Sequence, residues 1–273
     1  VSATMAAVGL VLPMAEEGES HFPPTPGDFW QPMFAIPGTD YYFTRPMALL
    51  AIATVTLMVW LWLTTRQAAV VPSKGQWLTE QVYNFARNGI ARDMIGSRDF
   101  MRFVPFLFAM FTFILLNNLF GIIPPFQNPT MARIGFPIGL TAIVYVVYHW
   151  VGIKHKGGLG AYLGSLLPSG LPGWIKPFIL FLELITFFIT RPLTLALRLF
   201  GNMFAGHMLL VVFIVGGWYM FKTFEPGLMA VAIPAWVLGG ALTVFEGLIQ
   251  FLQAYVFTLL AASYIGGALA DEH

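Results

Sequence analysis

From Arg191 to His207 the chain reads RPLTLALRLFGNMFAGH, which sets two arginines, an asparagine and a histidine in a stretch otherwise apolar enough to lie in lipid. At helical pitch Arg191, Arg198 and Asn202 share one face, whereas His207 looks half a revolution away. An arginine near the centre of a membrane span costs at least about 2.5–3.5 kcal/mol on the mildest scale. Its guanidinium does not give up its proton in exchange. A chain that carries such a cost supplies a charged partner or a water-filled path. Further on, Glu246, Gln250 and Gln253 are spaced i, i+4 and i+7 and form one polar stripe. Glu246 and His207 make a titrating pair, since imidazole changes charge near neutral pH and a carboxyl group can also carry a proton. The bland alternative is that these groups satisfy one another inside a helical bundle, and for Asn202 and Gln250 it weighs as much as the functional one. Arg191, next to Pro192, reads as an anchor at the inner surface.

Composition limits the chemistry. The chain has 273 residues, 58% hydrophobic and only 10% charged, with a mean hydropathy of +0.74. Soluble domains are nearer one-quarter charged, so these values point to an integral membrane protein, and its spans of helical length to an all-α one. A net charge of +1 and the lack of any basic run interleaved with exposed aromatics argue against nucleic-acid binding. There is no cysteine, and the five histidines show no HExxH or His-x-His spacing, so no metal site is expected. No GxxxxGK[ST], no GxGxxG after a strand and no GxSxG occurs. Nucleotide hydrolysis and acyl chemistry are therefore not expected, nor any cofactor; transport is.

These groups are positioned by about five membrane helices. Val1 to Ala15 is a signal remnant, an interfacial segment or a misassigned start. Residues 1–46 as a whole form an extramembrane segment, acidic between Glu16 and Asp40, with Trp30, Tyr41 and Tyr42 at the interface. The membrane domain is 47–273. Its first span, Met47 to Leu63, is followed by Arg66, Lys74, Arg87, Arg92, Arg98 and Arg102, which places this loop inside and the N-terminus outside. Trp77, Val82, Phe85, Ile90 and Met94 recur at helical intervals, as in an amphipathic helix lying on the membrane or packed on a soluble partner. Phe103 to Ile123 is the second span, stopped by Pro124-Pro125, with Asn117 and Asn118 near its outer end for interhelical hydrogen bonds. Ile138 to Ile153 returns inward to Lys154, His155 and Lys156, and Gly157 to Gly173 reads as a loop. Ile175 to Phe221 and Gly227 to Leu269 each exceed what a bilayer core of about 30 Å requires. Each is two short spans or one long tilted helix.

A register argument favours the long helices. If they form an antiparallel hairpin over 175–269 that turns at Glu225-Pro226-Gly227, residues at one level have numbers adding to about 451–453. Arg198 then lies level with Gln253, and His207 level with Glu246. Two polar clusters result: Arg198 with Asn202 and Gln253, and His207 with Glu246. Glu183 falls within about 60° of Arg198 and lines an approach from the other end.

The stretches RPLTLALRLFGNMFAG, PFLFAMFTFILLNNLFGIIP and FEGLIQFLQAYVFTLLAASYIG resemble subunit a of the membrane-embedded Fo sector of F-type ATP synthase. The resemblance runs from about Thr44 onward and is weakest in 157–173. It implies a non-catalytic stator beside a rotating ring of c-subunits, with two offset half-channels carrying protons to and from the ring carboxylates. By the same resemblance Arg198 matches the essential stator arginine, Asn202 and Gln253 its polar neighbours, and His207 and Glu246 the outer half-channel. The implied partners are the c-ring, b-type peripheral stalk subunits and the rest of the synthase, in a bacterial inner (plasma) membrane rather than an organellar one. One departure stands out: many bacterial members carry the carboxylate at position 207 and the imidazole at 246, and here the two are exchanged. A secondary transporter for an anionic solute is the rival reading, but such folds commonly contain internal repeats, and none is found here. A structural membrane scaffold, the third reading, leaves the buried arginine unexplained.

Overall fold

The computed structural model describes residues 32–35, 42–66, 68–123, 128–167 and 172–270. The readings made for 1–31, for 36–41 and for the Pro124-Pro125 stop lie outside the described residues. A short antiparallel pair, β1 (Pro32–Ala35) and β2 (Tyr42–Thr44), precedes the first helix and was not foreseen in the extramembrane segment. Among the described residues, five helical stretches are long and apolar enough to cross a membrane.

The first is α1 (Arg45–Thr65), with Pro46 in its opening turn, where a missing N–H costs nothing. It buries only Pro46, Leu49 and Ala53 and leaves Val55, Met58 and Trp62 outward, as a helix apolar all round does in lipid. Next comes α2 (Lys74–Ala86), whose first turn is capped by the Ser73 side chain accepting from the Gln76 N–H at 3.3 Å. It continues through a wide π-type turn, Arg87–Arg92, into the short α3 (Asp93–Ile95) and stops at Gly96, with φ +90°. Of the predicted apolar stripe only Ile90 is fully buried, and Trp77 is exposed. This helix packs on its own chain's spans: Tyr83 meets Phe108 at 5.7 Å, and Phe85 meets Phe111 and Tyr255 at 5.4 and 5.5 Å.

The second span, α4 (Phe100–Leu119), begins three residues before the sequence suggests and ends four earlier. Its last turn tightens, with Gly121 N–H donating to the Asn118 carbonyl and Ile122 N–H to that of Leu119. A 3-10 turn, Thr130–Ala132, leads to α5 (Gly135–His155). The stretch 157–173 is not all loop. Gly157 and Gly158, at φ +80° and +151°, break from α5, and then Leu159–Gly164 forms a short helix, α6. Its Tyr162 fills the space that a side chain at Gly152 would need. The glycines that make the break possible also hid the helix, because they lower its apparent propensity.

The long apolar regions are continuous rather than paired short spans. α7 (Lys176–Ile185) passes through a wide turn, Thr186–Thr190, into α8 (Arg191–Lys222), and α9 covers Pro226–Leu269. Together α7 and α8 run 47 residues and α9 runs 44. The wide turn has a chemical cause. Pro192 has no N–H, and its ring would clash with the Phe188 carbonyl in a regular helix. The Arg191 N–H therefore bonds to Thr186 O, and the freed Phe187 carbonyl accepts the Tyr148 hydroxyl at 3.3 Å. The turn between α8 and α9 lies two residues earlier than predicted, over 223–225, with Phe224 at φ +56°. Pro226 starts α9 instead of sitting in the turn, which suits its fixed φ and absent donor.

The chain divides into two compact units. One comprises residues 1–58, 115–132 and 202–251, and the other 59–114, 133–201 and 252–273. In the first, Leu49 and Ala53 pack with Leu116 and Phe120. There α8 and α9 run side by side in opposite directions. A side chain at Gly217 would meet the Trp236 indole at 2.7 Å, and one at Gly239 would meet Ile214 at 3.2 Å. The Trp236 indole N–H donates to the Ile214 carbonyl at 3.2 Å.

Candidate functional site

In the first unit His207 of α8 and Glu246 and Gln250 of α9 are buried. Gly206 faces Glu246 so closely that a Cβ there would lie 3.3 Å from Oε1, which places Glu246 at the level expected from the hairpin register. His207, the next residue, is buried, as are Glu246 (4% exposed) and Gln250. The Gln250 amide, one turn along α9, donates to Glu246 Oε1 at 3.2 Å, while Glu246 Oε2 and Gln250 Oε1 have no hydrogen-bond partner among the described residues. Asn118, at the end of α4, donates to the Gln250 main-chain carbonyl at 3.2 Å. Neighbouring Asn117 accepts from the Thr130 hydroxyl at 3.2 Å. Gly121 gives the Gln250 amide room, since a Cβ there would stand 3.4 Å from Nε2 and 2.7 Å from Met203. A carboxyl group with one oxygen held by a neutral amide and the other open can accept or pass on a proton without competing with a fixed cation. Asn202, also in this unit, faces outward.

The second unit holds Arg198, Gln253 and Glu183. Arg198 is exposed on the outside of its own chain and forms no hydrogen bond or ion pair with a described residue. Leu195 and Leu199, on its flanks, are buried at 1% and 0%, whereas Leu193 and Leu197 are exposed, so the one mid-helix cation shares an outward face with apolar side chains. Gln253 is buried. Glu183 is half-buried and lines a polar cavity of about 270 Å³ with Lys156, Tyr162, Ser165 and Arg191.

Arg191 is thus not a plain surface anchor. Its guanidinium lies over the Phe187 ring at 3.5 Å and near the Tyr264 ring at 5.3 Å. Tyr162, outside the spans, takes a hydrogen bond with His149 Nδ1 at 3.0 Å, and burial pushes its phenol above the ordinary range.

Comparison with known proteins then decides the family. A family profile described as ATP synthase A chain matches residues 47–266. A protein named ATP synthase subunit a from a Nocardioides species is 44% identical over 94% of this chain and 96% of its own length. One of the same name from Pseudarthrobacter chlorophenolicus is 41% identical over 97% and 100%. Another, from Streptomyces lividans, is 34% identical over 92% and 89%. The chain belongs to the ATP synthase subunit a family. With five membrane-competent helices it is a multi-pass membrane protein.

Several features that shape the polar sites carry little mark in the sequence. Gly121 and Gly206 act by being small, and no chemical type marks them. Asn118 was recognised as an interhelical donor, but its partner is a backbone carbonyl, invisible to side-chain pairing. Tyr148, His149 and Tyr162 sit in aromatic surroundings that read as ordinary packing. A donor count at Pro192 would have flagged the need for a group such as the Tyr148 hydroxyl.

Proposed function

We propose that this chain is the stator subunit of an ATP synthase Fo motor and passes protons to and from the carboxylates of a c-subunit ring, so that ion flow drives rotation and ATP synthesis. The carrying observation is Arg198: a permanent cation set outward on an apolar helix, beside the exposed Leu197, while Leu195 and Leu199 turn into the chain. Such a charge suits a moving external carboxylate, which it attracts and deprotonates while barring a direct leak between the two sides. His207, Glu246 and Gln250 line the outer half-channel, and Glu183 the inner one. Asn202 and Gln253 are the polar neighbours of the arginine. The long final helices lie inclined along the ring, because about 70 Å of helix exceeds a core of about 30 Å.

The subunit performs no catalysis. It works with the c-ring, b-type stalk subunits and the remaining synthase in a bacterial plasma membrane. Each charge crossing 100 mV yields about 2.3 kcal/mol, so many must be passed per turn, as a rotor allows.

The test is Arg198→Ala in the assembled complex, read as ATP-driven acidification of inverted membrane vesicles. Pumping should fall to background while ATP hydrolysis by the detached catalytic sector persists. Coupled pumping near the wild-type rate would end this reading.

A further inference from the structure

The cavity that holds Glu183 has features that proton passage leaves unexplained. It lies where the C-terminal ends of α5 and α9 meet α6: Lys156 directly follows α5 and donates to the Ala270 carbonyl at 2.8 Å, at the end of α9. Span ends converging at one level mark the depth of lipid headgroups, and the basic residues after α5 put that level on the inner face. Its charged lining holds two cations, Lys156 and Arg191, against one carboxylate, Glu183, so it is short of one negative charge. The Arg191 guanidinium stacks on Phe187 and hydrogen-bonds to no described residue, so its planar fork of N–H donors is still to be satisfied. Two hydroxyl groups, on Tyr162 and Ser165, line the same space.

A second cavity, of about 460 Å³, opens along α5 and the wide turn and is almost wholly apolar, lined by Thr141, Tyr145, Phe188, Pro192 and Leu193 among others. On α5, Tyr145 lies eleven residues before Lys156, about 16 Å deeper in the span. An acyl chain leaving a headgroup at Lys156 would reach that depth. Neither feature alone names a ligand, but a cationic polar cavity at the rim and an apolar groove below it match the two ends of one molecule.

We propose that this cavity binds the phosphodiester of an anionic phospholipid of the inner leaflet, held by Arg191 and Lys156, with an acyl chain laid in the groove beside Tyr145 and Phe188. One phosphodiester supplies the missing negative charge. The proposal requires only that the chain be embedded in a membrane. It does not depend on which residues carry protons.

The test uses the intact synthase purified in detergent and depleted of lipid, then titrated with dioleoylphosphatidylglycerol or dioleoylphosphatidylcholine and read by native mass spectrometry as lipid retained per subunit a. Phosphatidylglycerol should be retained and phosphatidylcholine not, and millimolar inorganic phosphate should fail to displace the lipid. Removing either cation in Arg191→Gln or Lys156→Gln should weaken retention about fivefold, and removing both about 30-fold. Arg191→Lys, which keeps the charge, should retain most of it. Equal retention of both lipids by the wild type would overturn the proposal even if no variant assembles. So would unchanged retention in the double variant, and displacement by inorganic phosphate would reassign the cavity to free anions. Because occupancy is read by mass, a failure here is separate from a failure of the Arg198→Ala pumping test.

Discussion

Glu246 and Glu183 are both carboxylates on long apolar helices, yet their surroundings are opposites. Glu246 is closed in by Gly206, Gln250 and buried neighbours, and the amide that holds it is neutral. Glu183 is half-open, in a cavity it shares with two cations and two hydroxyl groups. Burial without a counter-charge suits a group that must exist in both protonation states, whereas a cation-lined open cavity suits groups that stay charged and meet water or lipid. The contrast teaches that polarity inside a membrane protein is not one property: two acids of the same type, in one chain, can be built for different tasks.

The comparison can be broken at several points. The largest effect is expected from Glu246→Gln, which keeps shape and hydrogen bonding but removes the carboxyl; vesicle acidification should drop at least tenfold, a cost of about 1.4 kcal/mol or more in the rate-limiting step. Glu183→Gln, in the open cavity, should cost less, and a larger loss than for Glu246→Gln would reverse the ranking drawn here. Exchanging both groups, His207→Glu with Glu246→His, should retain more pumping than either single change; equal loss in all three would show that the two do not work as a pair. Gly206→Val should lower pumping about threefold by crowding the Glu246 carboxyl, since an overpacked site forces neighbours off their preferred positions. The smallest effect belongs to structure alone: Trp236→Phe removes one indole donor to the Ile214 carbonyl and should cost about 0.5–1.5 kcal/mol, seen as a modest drop in the melting temperature of the purified complex.

What could be read ahead of the structure followed from regularity. Five spans and the lengths of the last two follow from the apolar runs, and the level of Glu246 opposite the Gly206–His207 corner follows from counting residues back from a turn. Helices have a fixed rise, so in a hairpin sequence number serves as a ruler. Irregular geometry was out of reach. The wide turns at Arg87–Arg92 and Thr186–Thr190 break the period on which the counting relies. Placing Arg191 at the inner surface missed its cavity, because stacking on Phe187 and Tyr264 depends on how three segments meet. The short α6 was lost among glycines, and the Asn118 bond ends on a main-chain oxygen that carries no side-chain signature.

The wide turn before Pro192 has a consequence for phase. In an unbroken α-helix, residues fifteen apart point about 60° from each other; a turn that swallows one residue changes this to about 40° on the opposite side. Deleting a single residue from 186–190 would take up the extra residue and leave the bearings of Glu183 and Arg198 nearly as they are, at the cost of pressing the Pro192 ring on the carbonyl four residues before it. A deletion between Leu193 and Leu197 has no such slack to draw on and would swing the guanidinium by about 100°. The slack thus lies on one side of the arginine only, and the aim of that charge is set by the seven residues that begin at Arg191.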